Sequence, residues 1–491
     1  MNNKQEYDCD VIVVGAGPAG SSAAHYLAIA GYDVILVDRC KFPRDKICGD
    51  FVSPVSQVEL AQLGVTRTTE FRSANRISKA AVFLDGNKLV SRVVPKVQGL
   101  PQYGRVVPRV VLDKLVLDSA CREGAVFLEG LRAVGMRVKR GGVELDVEGA
   151  DGKKTLKTRL LIGADGSNST VARIVRGQPA STADRIIAIR GYFEGVKGSS
   201  SQADLHFNKE SFPGYCWLFP TGGNRANVGV GVVLDTIPSG NRLKELLNHL
   251  ISTNAALASR LKDAKLVGQI GGWPLTTYNP NQPLVGNRVM LVGDAAGLVN
   301  PINGEGIQNA LLSGRWASEV AISSLRANDL SKEALGAYQK IVERELQYGM
   351  SLARLVVQLI RNRSFNSIWL RSMELMAARS QVDPSYADIV GGILMGTVPQ
   401  SEATSLEVVR GTIEQAMLST GLTSWLEMVQ DPNAMAKSAL DALQTGFALA
   451  AQATQDPFAL VDWAIKSVTS AIDVSAPSTN YAASPRKTTH N

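Results

Sequence analysis

The sequence predicts a mixed α/β protein: a parallel sheet, interleaved with an antiparallel sheet and followed by a helical C-terminal extension. Three observations predict it. Continuous Val- and Ile-rich runs at 9–14, 33–37, 160–163 and 289–292 each lead into a turn, as strands buried on both faces of a parallel sheet do. Residues 185–280 instead alternate apolar and polar side chains, the period of half-buried strands. Beyond residue 325, leucines and arginines recur at helical spacing.

The first run, Cys9-Asp-Val-Ile-Val-Val14, feeds directly into Gly15-Ala-Gly-Pro18-Ala19-Gly20 and then a helix of small residues to Ala30. The second run closes on Asp38-Arg39. Strand, glycine turn, helix, strand and acid in that order form a dinucleotide fingerprint. Gly15 permits the tight turn, Gly17 lets backbone approach a diphosphate, and Gly20 permits close helix–strand packing. Free N–H groups at the helix start suit phosphates, and Asp38 is placed to accept hydrogen bonds from a ribose. The fingerprint does not by itself separate NAD from FAD.

Two later turns repeat the logic. Leu160-Leu-Ile-Gly-Ala-Asp165-Gly and Arg288-Val-Met-Leu-Val-Gly293-Asp294 each put an aspartate at the C-terminal end of a strand, where ligands of open α/β sheets bind. Either acid alone reads equally as a helix cap. Asn300-Pro-Ile-Asn-Gly304-Glu305-Gly306-Ile307 follows, with two glycines at a loop-to-helix junction that lets backbone approach a flat ring. Glu305 is read as a charge near a helix N-terminus, with no chemistry assigned.

The ordered set of GxGxxG, an arginine-bearing helix, Asp-Gly and Gly-Asp resembles the FAD-dependent hydroxylase and reductase superfamily. The resemblance implies a Rossmann-type FAD domain. In it Asp294 binds the ribityl chain, Asp165 lies near the diphosphate and the nicotinamide approach, and Arg109 reaches the ribityl–phosphate region. It also brings Ala133 to adenine through its backbone and Gly304, Gly306 and Ile307 to the flavin ring. Only one complete fingerprint is present, so electrons are expected from transiently bound NAD(P)H or from a protein donor.

Phe42-Pro-Arg44-Asp-Lys-Ile-Cys48-Gly49 resembles the PRxKxCG element of the geranylgeranyl reductase family, and Tyr215-Cys-Trp217-Leu-Phe219-Pro220 its YxWxFP motif. Gly271-Gly-Trp273-Pro fits the same family. By this resemblance Cys48-Gly49 lies beside the flavin, with Cys48 facing substrate as proton donor or pocket wall. Asp50 and Phe51 depart from the small residues usual there. Strand alternation puts Tyr215, Trp217 and Phe219 on one face, an apolar wall suited to a prenyl chain. The implied activity is reduction of carbon–carbon double bonds in a hydrophobic, prenyl-type substrate. A monooxygenase or halogenase acting on an aromatic or polyketide-like substrate is the second reading; a non-catalytic flavin or lipid carrier is the third.

The 491 residues carry a net charge of +7, spread thinly and without a basic stripe, so no nucleic-acid partner is expected. Five widely spaced cysteines without CxxC pairs give no metal framework and point to a reducing, cytoplasmic setting. No run is long enough to span a membrane, which leaves only peripheral membrane contact. The four histidines are read as structural or solvated. The oligomeric state is undetermined.

Residues 1–75, 101–184 and 281–330 are assigned to the FAD domain, and 76–100 with 185–280 to the substrate domain, including one helix near 241–261. Residues 331–472 are assigned to a helical region whose first part, to about 378, serves as a lid or as cover for the FAD domain. Residues 473–491, rich in Ser, Thr and Pro, are expected to be disordered. Gln-Asp-Pro at 430 and again at 455 marks two helix starts. Leu440, Leu443 and Phe447 form the apolar face of one helix, and Leu460, Ile465 and Val468 that of the other.

Overall fold

The computed structural model describes residues 7–236, 243–398 and 457–475. The chain opens with β1 (Cys9–Val14), α1 (Pro18–Ile29) and β2 (Val34–Asp38), the unit the glycine spacing foretold. A loop then leads to β3 (Phe51–Val52), α2 (Pro54–Gln62), α3 (Thr69–Ser73) and β4 (Asn75–Ile77). After β5 (Lys79–Leu84), β6 (Asn87–Val93) and β7 (Gly104–Val106), α4 (Arg109–Arg122) leads to β8 (Val126–Glu129). A meander of β9 (Arg132–Val138), β10 (Val143–Gly149) and β11 (Gly152–Gly163) precedes α5 (Thr170–Arg176).

The middle of the chain is β12 (Arg185–Glu194), β13 (Gln202–Phe207), β14 (Tyr215–Gly222), β15 (Arg225–Val233), α6 (Leu243–Thr253), α7 (Ala255–Leu261) and β16 (Lys265–Thr276). It returns through β17 (Val285–Gly286), β18 (Val289–Leu291) and α8 (Gly293–Ala296) to the long α9 (Ile307–Ala327). The later helices are α10 (Lys332–Val342), α11 (Tyr348–Ile360), α12 (Asn366–Val382), α13 (Pro384–Leu394) and α14 (Pro457–Ser475).

The first sheet runs β17-β18-β11-β1-β2-β8, with β9 and β10 folded antiparallel beside β11. From β18 to β8 all pairings are parallel, and Val11 faces Leu160 on one side and Val34 on the other. Both faces are covered, which is why these strands read as unbroken apolar runs. Helices α1 and α9 cross closely because Gly314 has no side chain: a Cβ there would stand 2.4 Å from the Ala19 carbonyl oxygen and 3.0 Å from Ser22 Cβ.

The second sheet, β16-β12-β15-β14-β13-β5-β6, has seven strands. It is mixed rather than antiparallel, because β5 joins β13 in parallel after a long excursion of the chain. A third sheet of β3, β7 and β4 had no forecast; its strands are two or three residues long, too short for a period to show.

Three further expectations need correction. The helix near 241–261 is two helices, broken where the side chain of Asn254 caps α7 by accepting the Leu257 N–H at 3.1 Å. Helix α14 begins at Pro457 as expected but continues to Ser475, so residues 473–475 are helical rather than disordered. Its inward face carries Trp463, stacked on Phe365, while Ile465 and Val468 are 60% and 62% exposed. The helix start at 430, Leu440, Leu443, Phe447 and residues 476–491 lie outside the described residues, as does the side chain of Leu460.

Helix α10 buries Leu335, Tyr338 and Val342 in the core of the first sheet and so covers it. Helices α11, α12 and α13 face a cavity instead. No helix among the described residues is long and apolar enough to cross a membrane. Replacing Gly314 by valine should cost about 2 kcal/mol or more in denaturant unfolding, because backbone on α1 cannot yield as a side chain would. An unchanged unfolding midpoint would contradict the close α1–α9 crossing.

Candidate functional site

One cavity of about 1180 Å³ runs from the start of α1, past the loop before β3, to the space between the second sheet and α11–α13. Its first end is built by the fingerprint. Gly15 has φ +106°, and a Cβ would lie 2.2 Å from the Ala164 carbonyl oxygen, so the turn admits only glycine. Gly17 caps α1 without a side chain and Pro18 fills the first helical position. The N–H groups of Ala19 and Gly20 therefore have no partner within the helix.

Gly17, Pro18 and Ala19 line the cavity, as do Asp38, Arg39 and Ala133. The Asp38 carboxylate accepts the N–H of Ala16 at 2.9 Å and of Cys40 at 2.8 Å, which holds the glycine turn against the end of β2. The Arg39 guanidinium lies 5.6 Å over the Trp273 ring. Gly20 and Gly293 are absent from the lining and act in packing: a Cβ on Gly20 would meet the Gly15 carbonyl oxygen at 1.9 Å, and one on Gly293 the Ala19 Cβ at 2.8 Å.

The three charged residues predicted from the later motifs also line the cavity, each already engaged. Asp165 caps α5, accepting the N–H of Thr170 at 2.7 Å, that of Val171 at 3.2 Å, and the Ser169 hydroxyl. Asp294 accepts Lys46 Nζ at 2.9 Å and Ser167 Oγ at 3.2 Å. Burial pushes its carboxyl up, but Lys46, Arg109 and Ser167 hold it below the usual carboxylate range. Arg109 is buried and forks onto Asp113, Nε to Oδ1 at 2.6 Å and Nη2 to Oδ2 at 2.9 Å, with Arg44 on the same carboxylate at 2.7 Å. Gly304, Glu305, Gly306 and Ile307 complete this part of the lining.

At the centre stand Cys48 and Gly49, in a loop with no element of its own. Burial pushes the Cys48 thiol up, against a smaller opposing pull from Arg109. The loop is pinned to the second sheet by Asn227 of β15, which donates to the Cys48 carbonyl at 2.7 Å and to Asp50 Oδ2 at 2.8 Å. Tyr192 donates to the same Asp50 oxygen at 2.6 Å. Asp50 is fully buried at φ +63°, a left-handed conformation that aspartate tolerates, and its Oδ1 has no hydrogen-bond partner. Burial, opposed by Tyr192 and Asn227, pushes its carboxyl up to about 6.

The far wall carries Tyr215, Trp217 and Phe219, while Cys216 and Leu218 turn into the core behind. Pro220 is buried beyond the lining, and its carbonyl accepts Asn75 Nδ2 at 2.7 Å. Trp217 donates its indole N–H to Asn227 Oδ1 at 2.9 Å, and its ring lies over Gly229, where a Cβ would meet it at 2.3 Å. The Gly-x-Gly of β15 thus clears space for an indole. Leu205 and Phe207 of the neighbouring β13 extend this wall, with the Phe207 ring 5.7 Å from that of Tyr215, and Trp369, Met373 and Met376 of α12 also line the chamber.

Sequence reasoning did not find Asp50, Tyr192, Asn227 or the α12 wall. Phosphate-ready backbone at one end, bare glycines along the floor and an apolar chamber at the other end fit an FAD beside a hydrophobic substrate. Among the described residues no cluster of metal-ligating side chains occurs.

The family described as an FAD binding domain matches residues 8–312. The chain is 31% identical over 393 residues to a menaquinone reductase of Mycolicibacterium smegmatis, covering 76% of this chain and 90% of that protein. It is 33% identical over 358 residues to digeranylgeranylglycerophospholipid reductase 1 of Methanopyrus kandleri, covering 72% and 90%. A geranylgeranyl bacteriochlorophyll reductase-like protein from Thermoplasma acidophilum shares the fold with a TM-score of 0.63 at 23% identity, covering 82% of this chain and 95% of that one. A flavin-dependent brominase shares it with a TM-score of 0.66 at 19% identity, covering 83% and 98%. At such identities the likeness shows the fold alone.

Two outcomes test this geometry. Gly229→Ala should displace the Trp217 indole and lower stability by about 1–3 kcal/mol, with a shifted tryptophan emission; unchanged emission would contradict the packing. Asp50 binds its proton more tightly folded than unfolded, so stability should fall as pH rises from about 4 to about 6. Asp50→Asn should flatten that part of the stability–pH curve, by on the order of 3 kcal/mol. Identical slopes would contradict it.

Proposed function

The chain belongs to the geranylgeranyl reductase family of FAD-dependent oxidoreductases, and from that premise we propose that it reduces carbon–carbon double bonds in the prenyl chain of a lipid. The observation that carries this reading is one continuous cavity, which joins the backbone cradle at α1 to a chamber walled by aromatic and aliphatic side chains. Reduced FAD supplies a hydride equivalent there. The residues around it position, orient and exclude water.

We assign the diphosphate to the free N–H groups at the start of α1, and the adenosine side to Asp38, Arg39 and Ala133. Asp294 and Arg109 serve the ribityl region, with Asp165 shaping the neighbouring loop. The carboxylates of Asp294 and Asp113 keep Lys46, Arg44 and Arg109 in place, so these cations need no reorganisation when the cofactor binds. Gly49, Gly304 and Gly306 present backbone to the flavin ring. The reducing electrons come from transient NAD(P)H or a protein donor.

Tyr215, Trp217 and Phe219 line one side of the prenyl chain, and Trp369, Met373 and Met376 the other. Methionines adapt to an irregular chain, and the aromatics supply area at low entropic cost. Prenyl lipids reside in membranes, so the reading carries peripheral contact with a lipid surface.

Prereduced holoenzyme should be mixed, under strict anaerobiosis, with menaquinone and with digeranylgeranylglycerophospholipid, and the lipids analysed by mass. The expected product has gained two hydrogens per turnover on the prenyl chain. A product that forms only with O₂ present and carries its oxygen would replace the reductase by a monooxygenase.

A further inference from the structure

We propose that Glu305 is the acid of the chamber, its carboxyl proton completing the reduction of a substrate double bond. This deepens the reductase reading and rests on it. Saturating an alkene takes a hydride at one carbon and a proton at the other. The hydride, with both electrons, comes from reduced flavin, which ends oxidised. The proton leaves the Glu305 carboxyl, and water later restores it.

Glu305 lines the cavity between Gly304 and Gly306, immediately before α9. Its backbone is fixed: its N–H donates to Asn303 Oδ1 at 2.9 Å, and the Asn303 carbonyl accepts the Tyr215 hydroxyl at 2.6 Å. The aromatic wall and the acid are therefore built on one hydrogen-bonded corner. From the opposite side, Gly396 follows α13 at φ +68°, and a Cβ there would stand 2.6 Å from Glu305 Oε2. Bare backbone thus closes over the carboxyl. The N-terminal end of α9 beside it favours the carboxylate left after transfer.

The groups facing Glu305 are Ser53 ahead of α2, Asn303 on its own loop and Tyr215 on β14. No cation is among those that set its ionisation. Burial pushes the carboxyl up to about 7, with Ser53 and Asn303 pulling the other way. A general acid works best with such a value.

The other carboxylates of the lining are committed elsewhere. Asp38 and Asp165 accept backbone N–H groups, Asp45 pairs with Arg190 at 2.6 Å, and Asp294 with Lys46. Burial raises both the Cys48 thiol and the Tyr215 hydroxyl away from neutrality. None of His25, His206 and His249 lines the cavity.

The test compares holoenzyme with Glu305→Gln, and with Glu305→Asp as a second variant that keeps the acid. Each is reduced anaerobically and mixed with digeranylgeranylglycerophospholipid. Wild-type single-turnover rates should fall as pH rises through about 7. Glu305→Gln should be slower by about 100-fold or more and lose that pH dependence, while Glu305→Asp keeps part of both. FAD affinity and the rate of flavin reduction should stay unchanged. Independently of turnover, infrared spectroscopy should show a protonated-carboxyl stretch that titrates near pH 7 in wild type and is missing from Glu305→Gln. Glu305→Gln with the wild-type rate and pH profile, or with the same infrared titration, overturns the proposal. A wild type that leaves every double bond intact while showing the infrared titration would instead sink the reductase reading.

Discussion

The buried side chain of Asn227 holds together two parts of the chain that stand 179 residues apart at its bond to Cys48. Its amide N–H groups grip the Cys48–Asp50 loop, and its oxygen takes the Trp217 indole N–H. A fully buried amide has to satisfy its donors, so neither the loop nor the indole can drift without leaving a polar group unpaired in an apolar core. This joint sets where the nucleotide half of the cavity meets the apolar half. Gly49 serves the same junction, since a Cβ there would touch the Phe219 ring at 3.0 Å.

Around the joint, charge is distributed unevenly. Toward the nucleotide end four cations are paired with acids, Lys46 with Asp294, Arg109 and Arg44 with Asp113, and Arg190 with Asp45. Toward the chamber, Asp50 is fully buried and Glu305 half-buried, neither with a paired cation, and loss of solvent raises both carboxyls. The two ends therefore suit different tasks. A pre-paired polar end receives a charged cofactor, and an acid-bearing apolar end receives a hydrocarbon. A neutral carboxyl is tolerated in such a chamber where an ion would be expelled or neutralised.

Much of this was legible in the residues, for local reasons. A glycine at φ +106°, a helix opened by proline and strands buried on both faces each impose a pattern within a few positions, and the parallel sheet followed from them. The aromatic wall was legible too, because strand alternation alone sends Tyr215, Trp217 and Phe219 one way and Cys216 and Leu218 the other. What escaped depends on contacts between distant segments. Asp50 looked like a departure from the family pattern until Tyr192 and Asn227 stood beside it. Gly229 finds its reason only in the Trp217 ring that lies across it. Glu305 read only as a charge near a helix N-terminus because the backbone that closes over its carboxyl comes from Gly396, some ninety residues later in the chain.

The most direct test is a crystal structure of the FAD-loaded, oxidised protein with a geranylgeranyl lipid. The account predicts a prenyl chain lying between Trp217 and Met373, with one of its double bonds beside both the flavin ring and the Glu305 carboxyl. A lipid bound on the outer surface, with the chamber filled by side chains or ordered water, would contradict it.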